Sequence, residues 1–297
     1  MAHPIEAHYV QQFASNMKLL LQQEDSRLSG LVMSGSHTGE QASPVDQFGA
    51  ISANKVVGRF NPMPNIEVPT DRRWVLPQDY DVPILLDSKD KLRLLMDPTS
   101  TYSQLALAAL QRKKDEEILA SFFAANQTGK NGGTSTAFLS AQVVGVNQGA
   151  ASATNLTVAK IKRGLRLLMA NNVNLESESV NLAINAANHE SLLNEPEIIN
   201  GDYNNVLVLV NGKVKQFLGV NFVHTELLST GTDDQAGTST QCPMWVKSGM
   251  YLGMWEDIVT DISERKDLQS IPTQVYMKTT FGGTRLEEKK IVKIWAR

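Results

Sequence analysis

Cysteine is almost absent from this chain of 297 residues. Cys242 stands alone, which excludes an internal disulfide framework and any thiolate metal cluster. Stability must then come from packing or assembly in a reducing compartment, with Cys242 as an inert thiol. Long apolar runs are missing too, and none approaches a bilayer span. The opening MAHPIEAHYV lacks the basic, apolar and small-residue order of a secretory signal, so a soluble cytoplasmic chain with no membrane contact is expected. The two sequons, at Asn126 and Asn155, are then accidental. An excess of positive charge is also lacking. With 28 Lys and Arg against 31 Asp and Glu, the formal charge is -3 and no basic stripe stands out. This argues against a nucleic-acid binder working by counterion release, and any such contact should be weak.

Catalytic signatures are equally scarce. Gly129-Lys130 fails as a phosphate loop, because Ala124 stands where Gly is needed and Asn131 where Ser or Thr is needed. His189-Glu190 opens a zinc motif, but Leu193 occupies the second ligand position. His3, His8, His37 and His224 are scattered, and Asp233-Asp234 and Glu287-Glu288 read as solvated pairs in a polar loop and a charged turn. No catalytic residue, cofactor or metal ligand is assigned, and no enzyme is expected.

What the chain does contain is one dominant helical signal. From Asp97 to Gly129 it reads as a single helix, with Asp97 and Pro98 at its start and Gly129 as its stop. Its ends are apolar (Leu105, Leu107, Leu110; Ile118, Leu119, Phe122, Phe123), but its middle, Arg112 to Glu117, is charged all round. That collar meets either water, supported by Arg112–Glu116 and Lys113–Glu117 pairs, or another subunit.

Taken in order, Val10 to Val32 has helical apolar spacing, with Phe13, Met17 and Leu20 on the stripe. This amphipathic helix packs on its own core or on a neighbour. Residues 34 to 44 have linker composition and should hold no fixed shape alone. Residues 49 to 87 hold short β-type runs broken by Pro62, Pro64, Pro69, Pro77 and Pro83, which suits a projecting β-hairpin with its tip in NPMPNIEVPT. Arg72, Arg73 and Trp74 on this arm are either interface residues or a solvated strand end. Replacing all three with Ala is expected to spare the fold and impair assembly, and deleting residues 1 to 32 should likewise spare the fold.

An α/β lobe follows from about Ala137 to Trp255. Thr157 caps a helix with Val158, Ile161, Leu165 and Leu168 on one stripe, followed by a strand at Val180 to Ile184 and a short helix at His189 to Leu193. Val206 to Phe217 reads as a hairpin through Asn211-Gly212. Ser229 to Gln241 reads as an exposed acidic loop. The remainder reads as long strands turning at Lys247-Ser248-Gly249 and Gly282-Gly283, packed back on the long helix.

This order resembles the tailed-bacteriophage major capsid protein family, whose fold is named after phage Hong Kong ninety-seven. The stretches that carry the resemblance are QFASNMKLLLQQEDSRLSGLV, DRRWVLPQDYDVPILLDSKDKLRLLMDPTSTY and ISERKDLQSIPTQVYMKTTFGGTRLEEKKIVKIWA. It implies an α+β fold divided into an N-terminal arm (1–48), an extended E-loop (49–87), a peripheral domain with the spine helix (88–128 and 257–297) and an axial domain (129–256). It also implies a structural subunit forming hexamers and pentamers of an icosahedral shell, assembled in the host cytoplasm and residing in the virion. The partners implied are further copies of the chain, a portal protein and double-stranded DNA packaged without sequence specificity. A separate scaffolding protein is expected, since about 50 residues precede the E-loop, and closure should be non-covalent because Lys55 has no evident partner. The inter-subunit candidates are Arg72, Arg73, Trp74, Arg112, Lys113, Glu116, Glu117, Phe13, Met17 and Leu20. The alternatives are an encapsulin-type shell holding a cargo enzyme, or an α/β enzyme using residues 129 to 256.

Overall fold

The structure is a computed structural model that describes residues 22–42, 45–55, 58, 65–87, 99–195 and 215–297. In chain order its strands and helices are β1 (Met33–Ser36), β2 (Asp46–Phe48), β3 (Thr70–Trp74), β4 (Gln78–Leu86) and the long helix α1 (Thr99–Phe123). Then come β5 (Asn126–Thr128), β6 (Thr134–Thr136), β7 (Val143–Val144), α2 (Val158–Ala170), β8 (Val180–Ile184) and α3 (Ala186–Leu193). The last part holds β9 (Gln216–Phe217), β10 (Val220–His224), β11 (Thr230–Thr232), β12 (Thr238–Val246), β13 (Met250–Glu264), β14 (Thr273–Arg285) and β15 (Ile291–Ala296). The class is mixed α+β, as expected.

The largest sheet has seven strands in the order β7-β15-β12-β8-β10-β9, with β11 on β12. β8 runs parallel to β10, and β7 parallel to β15. Every residue of β8 (VNLAI) is buried, the mark of a central strand covered on both faces. Ile161 and Leu168 of α2 close the core over Leu182, Val220, Met244 and Ile294. Two four-stranded sheets complete the described chain, in the orders β1-β13-β14-β4 and β2-β3-β5-β6.

Two compact units emerge. One comprises Met1–Asp25, Tyr80–Arg112 and Ile258–Thr279, and its described core joins Ala106 and Leu110 to Met277, with Tyr80, Val82, Ile84 and Ile258 around them. The other comprises Ser26–Asp79, Lys113–Asp257 and Thr280–Arg297 and contains the seven-stranded sheet. α1, β4, β13 and β14 contribute residues to both.

Several expectations are corrected here. α1 stops at Phe123 and not at Gly129, because the next residues leave to form β5 on β3. The fully buried Arg285 makes that exit possible: its guanidinium donates to the carbonyls of Ser121 (3.4 Å), Phe122 (3.0 Å) and Ala124, which α1 itself leaves unpaired. Of the segment 34 to 44, the described residues 34 to 42 take their shape from partners elsewhere in the chain. It holds β1, parallel to β13 with Met33 opposite Tyr251, and His37 Nε2 lies 2.7 Å from the Tyr251 hydroxyl. Tertiary pairing overrides its linker composition. Residues 22 to 32 form no α-helix, only a 3-10 turn at Ser29–Leu31, and the rest of the expected amphipathic helix lies outside the described residues.

Gly282-Gly283 is no turn either, since β14 runs straight through it. A Cβ on Gly282 would stand 2.1 Å from Leu76 O and one on Gly283 2.3 Å from Ser121 Oγ, so both glycines serve close approach. The expected acidic loop at 229 to 241 is instead the β11–β12 hairpin, with Asp233 buried. Asp233 accepts from Ser239 Oγ (2.5 Å), Gln235 N and Gly237 N (both 2.9 Å), and the Ser239 bond leads in holding its carboxyl below the usual range. Of the expected Val206 to Phe217 hairpin, 206 to 214 lie outside the described residues. β9 pairs onward with β10 through Leu218 (φ 51°) and Gly219 (φ 77°), the doubly left-handed turn that suits two twisted strands. Thr157 does precede α2, but its buried hydroxyl makes no hydrogen bond. The second short helix begins at Ala186, where Asn185 accepts from Asn188 N (2.9 Å).

Candidate assembly surfaces

The projecting segment is rooted by β2 and β3, paired antiparallel with Asp46 opposite Arg72, and Gly49 N donates to Pro69 O at 2.6 Å. Beyond that root every described residue from 49 to 70 is exposed, with Ile51 at 58% and Val68 at 46%, and Phe48 just below at 74%. An apolar side chain left this open gains nothing from the subunit's own core. Beside the root lies a cavity of about 780 Å³, lined among others by Val45, Phe48, Pro69, Leu139, Arg73 and Lys290.

Alternation along β3 separates its two arginines. Arg72 points outward, half-exposed, and grips Asp46 through Nε (2.5 Å) and a second nitrogen (2.9 Å), with its guanidinium 5.7 Å from the Trp74 ring centre. The Asp46 carboxylate raises the Arg72 pKa further. Arg73 points inward and is buried. It donates to Glu288 (3.0 Å) and Leu286 O (3.3 Å) and lies 3.1 Å from Asp71. Trp74 Nε1 donates to Gly129 O at 2.7 Å. The expectation that all three truncate without harm to the fold is therefore corrected for Arg73, whose removal would strand a buried carboxylate.

The charged collar of α1 divides in the same way. Lys113 pairs with Glu116 at 3.0 Å on an open face, while Arg112 turns to Gln22 Oε1 (2.7 Å) and Gln23 O (3.0 Å) in place of Glu116. Glu117 is half-buried, and its carbonyl accepts from Ser121 Oγ. Asp115 is fully buried and accepts from Ser26 Oγ (2.5 Å), Arg27 N (2.9 Å) and Leu28 N (3.2 Å). So the collar is split, with Lys113 and Glu116 on an open face and Asp115 turned inward. Its Asp115 clamps residues 26 to 28 of the same chain, and Leu28 (0% exposed) and Val32 (2%) enter the core behind them. A deletion reaching residue 32 would therefore cut into the subunit's own core, contrary to expectation. Phe13, Met17 and Leu20 lie outside the described residues.

Buried charge elsewhere is structural in geometry. Lys160 is fully buried on α2, and its ammonium donates to the carbonyls of Thr154 (2.6 Å), Asn155 (2.9 Å) and Trp295 (2.9 Å), using all three N–H groups. Burial brings its pKa down to about 8. The Lys293 ammonium lies 4.4 Å from the centre of the Phe123 ring and 5.4 Å from both Phe138 and Trp295, with its pKa lowered by burial. Burial likewise drops Arg285 to about 10 and pushes the Cys242 thiol up to about 12. Lys160, Asp115 and Arg285 were missed as anchors. Lys160 had a signal, an ionisable residue beside the α2 apolar stripe, whereas Asp115 and Arg285 sit in charged or polar surroundings that give no hint of burial.

No nucleophile–base pair is assembled from these groups. The rings of His189 and His224 meet edge to face at 4.6 Å, but among the described residues no group of three or more His, Cys, Asp or Glu side chains could hold a metal ion. No described helix is long and apolar enough to cross a membrane.

Comparison with known proteins gives a consistent result. A family model described as phage capsid protein matches residues 5–296. No curated protein matches the chain. Among solved structures, the capsid of Cyanophage P-SCSP1u is 14% identical, with a TM-score of 0.78 over 100% of this chain and 95% of that one. The Cyanophage Pam1 capsid subunit is 11% identical (TM-score 0.71, 97% and 96% covered), and a chain of Mycobacterium phage Che8 is 13% identical (0.69, 96% and 97%). At such identities the likeness is one of fold.

Proposed function

The chain belongs to the phage capsid protein family, a family of structural and not catalytic proteins, and from that premise we propose that its copies join as hexamers and pentamers into an icosahedral shell around double-stranded DNA. The observation that carries this reading is the arm from 49 to 70, exposed along all its described length and rich in open apolar residues. Such a segment is useful only when a neighbouring copy covers it, and contacts between unlike surfaces of identical subunits close rings or tile shells. In this reading the chain divides as 1–48 (N-terminal arm), 49–87 (E-loop), 88–128 with 257–297 (peripheral domain) and 129–256 (axial domain). β15 then lends the C-terminal segment to the axial sheet. Arg72, Trp74, Lys113 and Glu116 are the described contact candidates, with Phe13, Met17 and Leu20 added from the N-terminal arm. A scaffolding protein, a portal protein and packaged DNA are the further partners, with assembly in the host cytoplasm before residence in the virion capsid.

Negative-stain electron microscopy of the purified protein, alone and with a scaffolding protein encoded beside it, tests this directly. Closed shells or capsomer rings are expected. Strictly monomeric protein under both conditions would overturn the reading.

A further inference from the structure

Acidic residues are distributed unevenly along the chain. Between Glu117 and Glu176 there is no Asp or Glu at all, while Lys130, Lys160, Lys162, Arg163 and Arg166 fall in that interval. Four of the five lie on α2. A short basic run thus lies in an otherwise slightly acidic chain.

Folding sorts these four cations. Ile161, Gly164 and Leu168 face the seven-stranded sheet, and Lys160 is drawn inward to its three carbonyls. At 100° per residue, Lys162, Arg166 and Met169 then share the opposite face, with Arg163 at its margin. Lys162 and Arg166 are exposed, Arg163 is half-buried, and Met169 is 60% exposed. Arg163 and Arg166 make no hydrogen bond or ion pair with any described residue. Just past the helix end, Asn171 Nδ2 approaches Lys289 O at 3.4 Å, which brings another exposed lysine to the same end of the helix.

We infer that the outward face of α2, carried by Lys162, Arg163 and Arg166, is a contact surface for the phosphates of duplex nucleic acid. Arg163 and Arg166, neither of them ion-paired with a described residue, can each meet a phosphate of a polyanion. A protein partner is disfavoured, because such interfaces centre on buried aromatic or aliphatic anchors and this face offers only Met169. Contact through charge alone, with no cleft and no base-reading side chain, gives weak binding without sequence preference. The inference rests on the proposed shell enclosing DNA, and it assigns this helix face to the shell's interior.

The test uses the full chain. Binding of a fluorescent 40-base-pair DNA to dissociated subunits is measured between 25 and 200 mM salt for the wild type and for Arg163→Gln/Arg166→Gln. Losing two phosphate contacts should reduce the slope of log K against log salt by about 1.8. An unchanged slope, or preferential capture of polyglutamate over the DNA, would overturn the inference. If the double variant loses its cooperative melt, Met169→Glu replaces it, since this acid on the exposed face should weaken DNA binding and leave the core intact. Orientation is read with Arg166→Cys, because buried Cys242 stays silent. A bulky maleimide should label dissociated subunits and spare closed shells, and labelling of closed shells would overturn the interior assignment. Microscopy separates the two failures: no wild-type shells refutes the shell, while intact shells with unaltered DNA binding refute only the surface.

Discussion

The seven-stranded lobe and the projecting arm come from one chain and treat their side chains in opposite ways. In the lobe, Leu182, Ile184, Ile161, Leu168 and Val220 are fully buried, and even an ammonium, that of Lys160, finds all its acceptors within the subunit. In the arm, Phe48, Ile51, Ile66 and Val68 lie open. The lobe is complete by itself, and its stability is intramolecular. The described arm is paired at its root, and its open apolar residues beyond gain free energy when they are covered. In the proposed shell, assembly and folding would thus draw on different residues, which mutation can separate.

The largest effect should come from the lobe. Lys160→Met leaves three inward carbonyls without donors and is expected to cost about 3–5 kcal/mol, read as a lowered melting temperature. A pH signature accompanies it. The folded pKa of Lys160 is about 8 against an ordinary 10.5, so between those values the unfolded chain holds more protons and stability rises with pH. Above pH 9 the raised Cys242 pKa opposes this, because the unfolded thiol then gives up a proton that the folded one keeps. The clean window is pH 8 to 9: the wild type should gain stability there relative to Lys160→Met, and parallel curves would refute the assignment.

Next come two buried charged anchors, Arg73 and Asp115. Arg73→Ala strands Glu288 and should cost about 3 kcal/mol in urea unfolding, so the root of the arm obeys the rules of the lobe. Asp115→Ala releases Ser26, Arg27 and Leu28 and should cost about 2 kcal/mol, with faster tryptic cleavage after Arg27 as its local signature. Resistance equal to the wild type would show that the segment is held by other contacts.

The smallest effects on stability belong to the open arm. Arg72→Ala and Phe48→Ser should each leave the unfolding free energy nearly unchanged. Particle yield should nonetheless fall for both. A normal yield would mean that the arm carries no contact, and a large loss of stability would erase the distinction between the two regions.

Much of this was legible in the sequence. The strand at Val180 to Ile184 and the helix from Val158 announced themselves through an apolar run broken only by Asn181 and through a 3.6-residue stripe. The prolines marked the arm, and the order of segments carried the family. Those are local signals, fixed by backbone geometry and the cost of wetting apolar groups. Where the polar groups went depended on long-range packing. Residues 33 to 36 became a strand because β13 offered an edge, α1 ended early because Arg285 supplied donors to its last carbonyls, and Asp115 and Arg73 turned inward while Glu116 and Arg72 stayed out. A charge in a sequence reads the same whether its partner is water or a group far along the chain. Only the fold, by bringing donors and acceptors together out of water, makes that choice.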